Sequence, residues 1–149
     1  MDVTTQYTAE EWQVVCGAPA AVTACVAQVD YGLLSSLKEA KAFGTFKHSA
    51  QLIYGQNDLI QKVLEADAEP SVPLAERENV ERLLQEIGTA VTIVSAKARP
   101  QDAQEYRQFL YTIAEVTAEA SGEGWLGTGT AVSKQEEGLL QRLKTLLQV

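Results

Sequence analysis

At 149 residues the chain has the length of one ordinary domain, and 46% hydrophobic against 21% charged residues with only 4 prolines excludes a disordered or low-complexity segment. Folding at this size buries roughly 68–70% of the surface of the unfolded chain, so a core forms without disulfide or metal staples. The formal net charge of -8 argues against nucleic acid and anionic membrane as partners, because both carry the same sign.

The opening Met1-Asp2-Val3-Thr4 has no basic n-region, so no secretory signal is expected. Thr8 and Glu11 have the spacing of a capping box, in which each side chain accepts the other residue's free backbone N–H. A helix follows, with Trp12, Val15, Pro19, Val22, Val26 and Val29 recurring every three or four residues. From Trp12 to Val29 no residue is charged, which is long enough for a membrane span. The stretch is mostly Ala and Val, however, with Gln13, Thr23 and Gln28 and no Leu, Ile or Phe. That content predicts the buried central helix of a soluble bundle, approached closely by neighbours over its small side chains. Pro19 removes one helical hydrogen bond and is expected to kink or divide the helix.

Asp30-Tyr31-Gly32 reads as a turn. A second helix is expected from about Leu33 to Tyr54, with Leu34, Leu37, Phe43 and Leu52 facing inward and Gly44 weakening its middle. Gly55-Gln56-Asn57 supplies a C-cap and then an N-cap for a short helix, Asp58 to Ala66, whose apolar side is Leu59, Ile60, Val63 and Leu64. The segment from Asp67 to Pro73, with two prolines and two acids, reads as a flexible loop.

A long helix is predicted from about Leu74 to Ala98, striped by Val80, Leu83, Leu84, Ile87, Val91 and Val94. Pro100 ends it and opens the next, which runs to about Ser121 through Tyr106, Phe109, Leu110, Ile113, Val116 and Ala120. The short connection predicts that these two pack as an antiparallel hairpin. A glycine-rich loop from Gly122 to Val132 then leads to a second capping box, Ser133 with Glu136, and a final stripe of Leu139, Leu140, Leu143, Leu146 and Leu147.

Site chemistry is sparse. Gly122-Glu123-Gly124-Trp125-Leu126-Gly127 matches G-x-G-x-x-G, but it follows a helix rather than a strand, and more loop intervenes before the next helix. A dinucleotide site needs the opposite context. Trp125 and Leu126 read as apolar side chains tucked against the bundle end, or alternatively as an anchor for a partner. Cys16 and Cys25 lie nine residues apart, on opposite sides of a continuous helix and about 13.5 Å apart along its axis, so they neither pair nor share a metal. Two buried, reduced thiols fit a cytoplasmic protein.

The chain has one histidine, His48, which excludes the paired Glu-x-x-His motifs of a dimetal bundle site. Glu115 and Glu119 read as a solvated edge, and Glu76, Glu78 and Glu81 as acids at a helix start, where the macrodipole favours them. Between Tyr31 and Leu64 four lysines face two acids, and between Glu65 and Ala90 seven acids face two arginines. Lys38, Lys41 and Lys47 with His48 form the only basic concentration, too thin for nucleic acid. They suit docking of the protein's own acidic segment.

The run Gly124-Trp125-Leu126-Gly127-Thr128-Gly129, followed by Val132-Ser133 and Glu136, resembles a group of small, uncharacterised bacterial all-helical proteins with a Gly-aromatic-Leu-Gly-x-Gly loop before a V-S-x-x-E terminal helix. The opening from Thr8 to Ala20, a capped helix with an early Trp and an Ala-Pro-Ala step, is similar as well. The resemblance implies an all-α fold and a bacterial origin, and it implies no activity. The chain is more distantly similar to TerB-like helical domains, whose paired acidic metal positions have no evident counterpart here.

The sequence therefore predicts an all-α fold, a single compact bundle of about six helices over residues 1–149 with a buried, charge-free first helix. The leading functional expectation is a non-enzymatic, cytoplasmic protein–protein interaction or self-associating module that needs no cofactor, with Trp125, Leu126, Lys38, Lys41 and Lys47 as contact candidates. The alternative is a carrier of a small apolar ligand between helices, in a space lined by the first helix with Phe43, Tyr54, Phe109 and Tyr111. An unrecognised carboxylate or metal enzyme is the third expectation.

Overall fold

A computed structural model describes residues 2–29, 33–122 and 134–149, with side chains described except at 33–42, 120–122 and 135. It is all-helical: a 3-10 turn at Val3–Gln6 precedes α1 (Ala9–Val29), α2 (Leu33–Ile53) and α3 (Asp58–Ala66), and a 3-10 turn at Leu74–Glu76 precedes α4 (Val80–Lys97), α5 (Pro100–Gly122) and α6 (Lys134–Leu147). The six α-helices pack as one bundle, and the described residues contain no strand.

α1 starts where the capping box places it. The Thr8 N–H donates to Glu11 Oε1 at 2.8 Å, and the Glu11 N–H donates to Thr8 Oγ1 at 3.1 Å. The helix then packs against each of the other five α-helices, most extensively against α4. Val15, Cys16, Ala18, Ala21, Val22, Cys25 and Val26 are all buried, so small residues on several sides, and not one stripe, make the contact surface. With a mean hydropathy of 1.4 the helix would also suit a membrane by composition, and in this bundle half of that stretch is buried by protein.

α4 lies antiparallel to α1. At one end Lys97 Nζ reaches Glu11 Oε1 at 2.6 Å and the Gln6 carbonyl at 2.9 Å, and it stands over the Tyr7 ring. Leu83, Ile87 and Val94 face the core. α2 pairs chiefly with α5, Phe46 and Tyr54 both packing on Phe109 with ring centroids 6.0 and 5.8 Å apart. Each such aromatic contact is worth about 0.5–1.5 kcal/mol beyond burial. α4 and α5 do touch, but each makes its larger contact with a different helix, α4 with α1 and α5 with α2. The two-residue link brings them together, while the small-residue surface of α1 admits closer packing. α6 closes the bundle with Leu139, Leu143 and Leu147 buried, and Arg142 forks onto Glu81 of α4 at 2.7 and 2.9 Å.

α1 runs unbroken through Pro19 and α2 through Gly44. Two expectations need correction. Leu52 does not face inward: it is 85% exposed, because the buried side of α2 follows Phe46 and Ala50, with Phe43 half-buried, and Leu52 falls off that line. α4 begins at Val80 and not near Leu74, because Asn79 caps it by accepting the Arg82 N–H at 3.2 Å. Only Glu81 of the three acids therefore sits in its first turn.

The segment from Asp67 to Pro73 is a loop, as expected, and it is pinned to the bundle. Arg77 donates from Nε to the Val72 carbonyl and from a terminal nitrogen to the Pro70 carbonyl, both at 3.0 Å, and Val72 is buried. The chain here crosses α1 at Gly17 so closely that a Cβ on that glycine would lie 2.8 Å from the Glu69 carbonyl oxygen and 2.9 Å from the Ser71 nitrogen. Proline content marked the segment as non-helical; the guanidinium and the missing side chain at Gly17 hold it in place.

Candidate ligand pocket

α3 is short but firmly placed. Asn57, fully buried, accepts the Ile60 N–H at 3.1 Å and donates its amide to the Asp102 carbonyl at 3.3 Å and to Glu105 Oε1 at 3.0 Å, fixing the helix start against α5. At the other end Asp67 adopts a left-handed conformation, φ 46° and ψ 47°, and its N–H bonds the Val63 carbonyl. This turn sends the chain back across α1 and sets the Asp67 carboxylate 2.7 Å from Lys47 Nζ on α2. Lys47 also lies 5.9 Å above the Phe43 ring.

Between these parts is a part-enclosed pocket of about 220 Å³. Cys16, Pro19, Ala20 and Thr23 of α1 form one wall, Phe43 and Lys47 of α2 another, and Val63, Leu64, Asp67 and Ala68 the third. The walls are mainly apolar. Thr23 spends its hydroxyl proton on the Pro19 carbonyl at 3.2 Å, so it can only accept from the pocket. Burial pushes the Cys16 thiol up to about 11, so it is a neutral wall and not a thiolate. Among the described residues that line it, Lys47 and Asp67 are the charged ones. A broader groove between α4 and the end of α6 mixes polar side chains such as Gln85, Thr89, Thr92, Ser95 and Gln148 with the apolar Val91, Ile93, Ala96 and Leu146.

The contact candidates read from the sequence scatter across this picture. Trp125 and Leu126, with the glycine-rich loop around them, lie outside the described residues, as do the side chains of Lys38 and Lys41. Lys47 does meet the acidic segment, through Asp67. Of the aromatic residues expected around a ligand space, Phe43 lines the pocket; Tyr54, Phe109 and Tyr111 do not, and Phe109 is instead fully buried in the core. Cys25 is buried on α1, its thiol raised to about 12 chiefly by burial, and both cysteines are free. His48 is exposed, as are Glu115 and Glu119. Among the described residues no group of three His, Cys, Asp or Glu side chains is placed to hold a metal.

The fold and site together define an all-α bundle with a small apolar pocket, rimmed by one ion pair, beside its central helix. No family model matches the chain, and neither a curated protein nor a solved structure matches it.

Proposed function

We propose that the protein is a non-enzymatic helical module that holds a small, mainly apolar molecule in the pocket between α1, α2 and α3. The observation that carries this is the pocket of about 220 Å³ walled by apolar side chains of three helices. An apolar cavity of ~150 Å³ is enough to take up benzene, so a single substituted ring is the scale to expect. The two reduced, buried thiols support a cytoplasmic setting for it.

Native mass spectrometry of the protein directly after purification tests the reading. The expected spectrum shows a small adduct that leaves on unfolding and is missing from Ala20→Phe, whose ring would occupy the cavity. A bare protein, together with toluene binding that Ala20→Phe leaves unchanged, would count against it.

A second reading, a self-associating interaction module, is favoured by the adjacent Leu52 and Ile53, which are 85% and 66% exposed at the end of α2. Sedimentation velocity separates the two. Self-association through this end predicts a dimer that Leu52→Lys dissociates without lowering the thermal midpoint.

A further inference from the structure

We infer, on the basis of the pocket reading above, that the ligand is a neutral molecule with an apolar body and one hydroxyl group, which bridges Lys47 and Asp67. Lys47 carries three N–H donors and gives one to Asp67 Oδ1 at 2.7 Å. Asp67 accepts that bond on one oxygen, leaving its second oxygen as an acceptor. The rim thus offers a donor and an acceptor side by side, and Thr23 adds only lone pairs.

A carboxylate ligand would compete with Asp67 for the same ammonium and stand beside a like charge. An ammonium ligand would meet Lys47 in the same way. Lys47 is the more shielded partner, its side chain 24% exposed against 71% for Asp67, so a second cation pressed into the pocket is poorly screened by water. A hydroxyl has the matching valence. Its proton goes to Asp67, its oxygen accepts from Lys47, and the ion pair need not separate. A primary amide would bring a second N–H donor into an apolar pocket, where an unmet donor is costly. Beneath the rim, Pro19, Ala20, Phe43 and Val63 suit a hydrocarbon body.

The test is an NMR titration of the full chain with benzyl alcohol, toluene, benzoate and benzylamine, which share a ring and differ in the group at the rim. Benzyl alcohol is expected to bind roughly tenfold more tightly than toluene, the scale of one hydrogen bond to a charged group. Both ionic probes are expected to be weaker than toluene. Lys47→Met and Asp67→Asn should each bring benzyl alcohol down to the level of toluene and leave toluene unchanged, with thermal melting confirming that the variants fold. Equal binding of toluene and benzyl alcohol, or tightest binding by an ionic probe, would overturn the hydroxyl assignment and leave the apolar pocket standing. Saturation by none of the four would overturn the pocket reading itself.

Discussion

Tyr106 of α5 donates its hydroxyl proton to the Val15 carbonyl of α1 across 2.8 Å, and Val15 is the residue whose carbonyl would otherwise receive the backbone N–H of position 19. That position is Pro19, which has no N–H to give. The tyrosine therefore supplies from another helix the hydrogen bond that the proline removes from its own. It does so where both Tyr106 and Val15 are fully buried and no water can substitute. The central helix stays continuous through its proline because a neighbour repairs it.

Removing the donor should expose the dependence. Tyr106→Phe keeps the ring in the core but strands the Val15 carbonyl, at a cost of about 1–3 kcal/mol. Pro19→Ala restores a backbone donor, so in that background Tyr106→Phe should cost clearly less. A double-mutant cycle by urea unfolding measures the coupling; additive losses would show that the two residues act independently.

Glycines in this chain should respond with opposite signs. Gly17→Ala forces a Cβ against the backbone of Glu69 and Ser71, which cannot swing aside as a flexible side chain would, and overpacking of that kind costs about 1–3 kcal/mol. Gly44 in α2 and Gly138 in α6 face open space, with nothing within 4 Å of an added Cβ. Gly44→Ala and Gly138→Ala should each stabilise by about 0.4–1 kcal/mol through helix propensity and a less disordered unfolded chain. Thermal melts of the three variants read both signs.

Arg77 should control the segment it clamps. Arg77→Ala leaves the Val72 and Pro70 carbonyls without their guanidinium donors, and residues 69–72 should gain amide exchange while α4 and α5 keep theirs. Arg77→Lys should rescue poorly, since a single ammonium does not reproduce the two-point geometry of the fork. Hydrogen–deuterium exchange resolved by segment checks this.

Alkaline sensitivity follows from burial. Cys16 is raised to about 11 and Cys25 to about 12, and Tyr106 is pushed well above the usual tyrosine value, in each case first by desolvation. A raised folded value favours the protonated form in the native state. The unfolded chain therefore ionises first, and the contribution is intact below about 9 and is lost as pH rises toward 11–12. Urea midpoints measured from pH 7 to pH 10.5 should fall above pH 9, and Cys25→Ala should flatten the fall. Iodoacetamide at pH 8 should label neither thiol until the protein is unfolded.

The sequence by itself determined what depends on neighbours along one helix. The Thr8–Glu11 capping box, the start of α5 at Pro100, the Asn57 cap and the full extent of α3 were all legible, because capping and apolar spacing act within a few residues. So was the place of α1 in the bundle, since eighteen uncharged residues rich in Ala and Val suit its centre. Leu52 marks where this reasoning stops: hydrophobicity names a residue as a core candidate, but the helix can turn only one side to its partner, and Phe46 and Ala50 took it. The pocket was legible only in part, through Phe43 and through Lys47 in a basic cluster suited to an acidic segment. The first helix was expected to line such a space, but which of its side chains do so (Cys16, Pro19, Ala20 and Thr23) and that α3 closes it with Val63 and Leu64 depend on how α2 and α3 are laid against α1. The tertiary structure alone decided that Gly17 admits a crossing chain, that Arg77 clamps it, that Tyr106 answers Pro19, and that Asp67 reaches Lys47 from twenty residues away. Apart from the Arg77 clamp, which spans five and seven residues, each is a contact between segments distant in the chain, set by the relative position of whole helices, and no local periodicity encodes any of them.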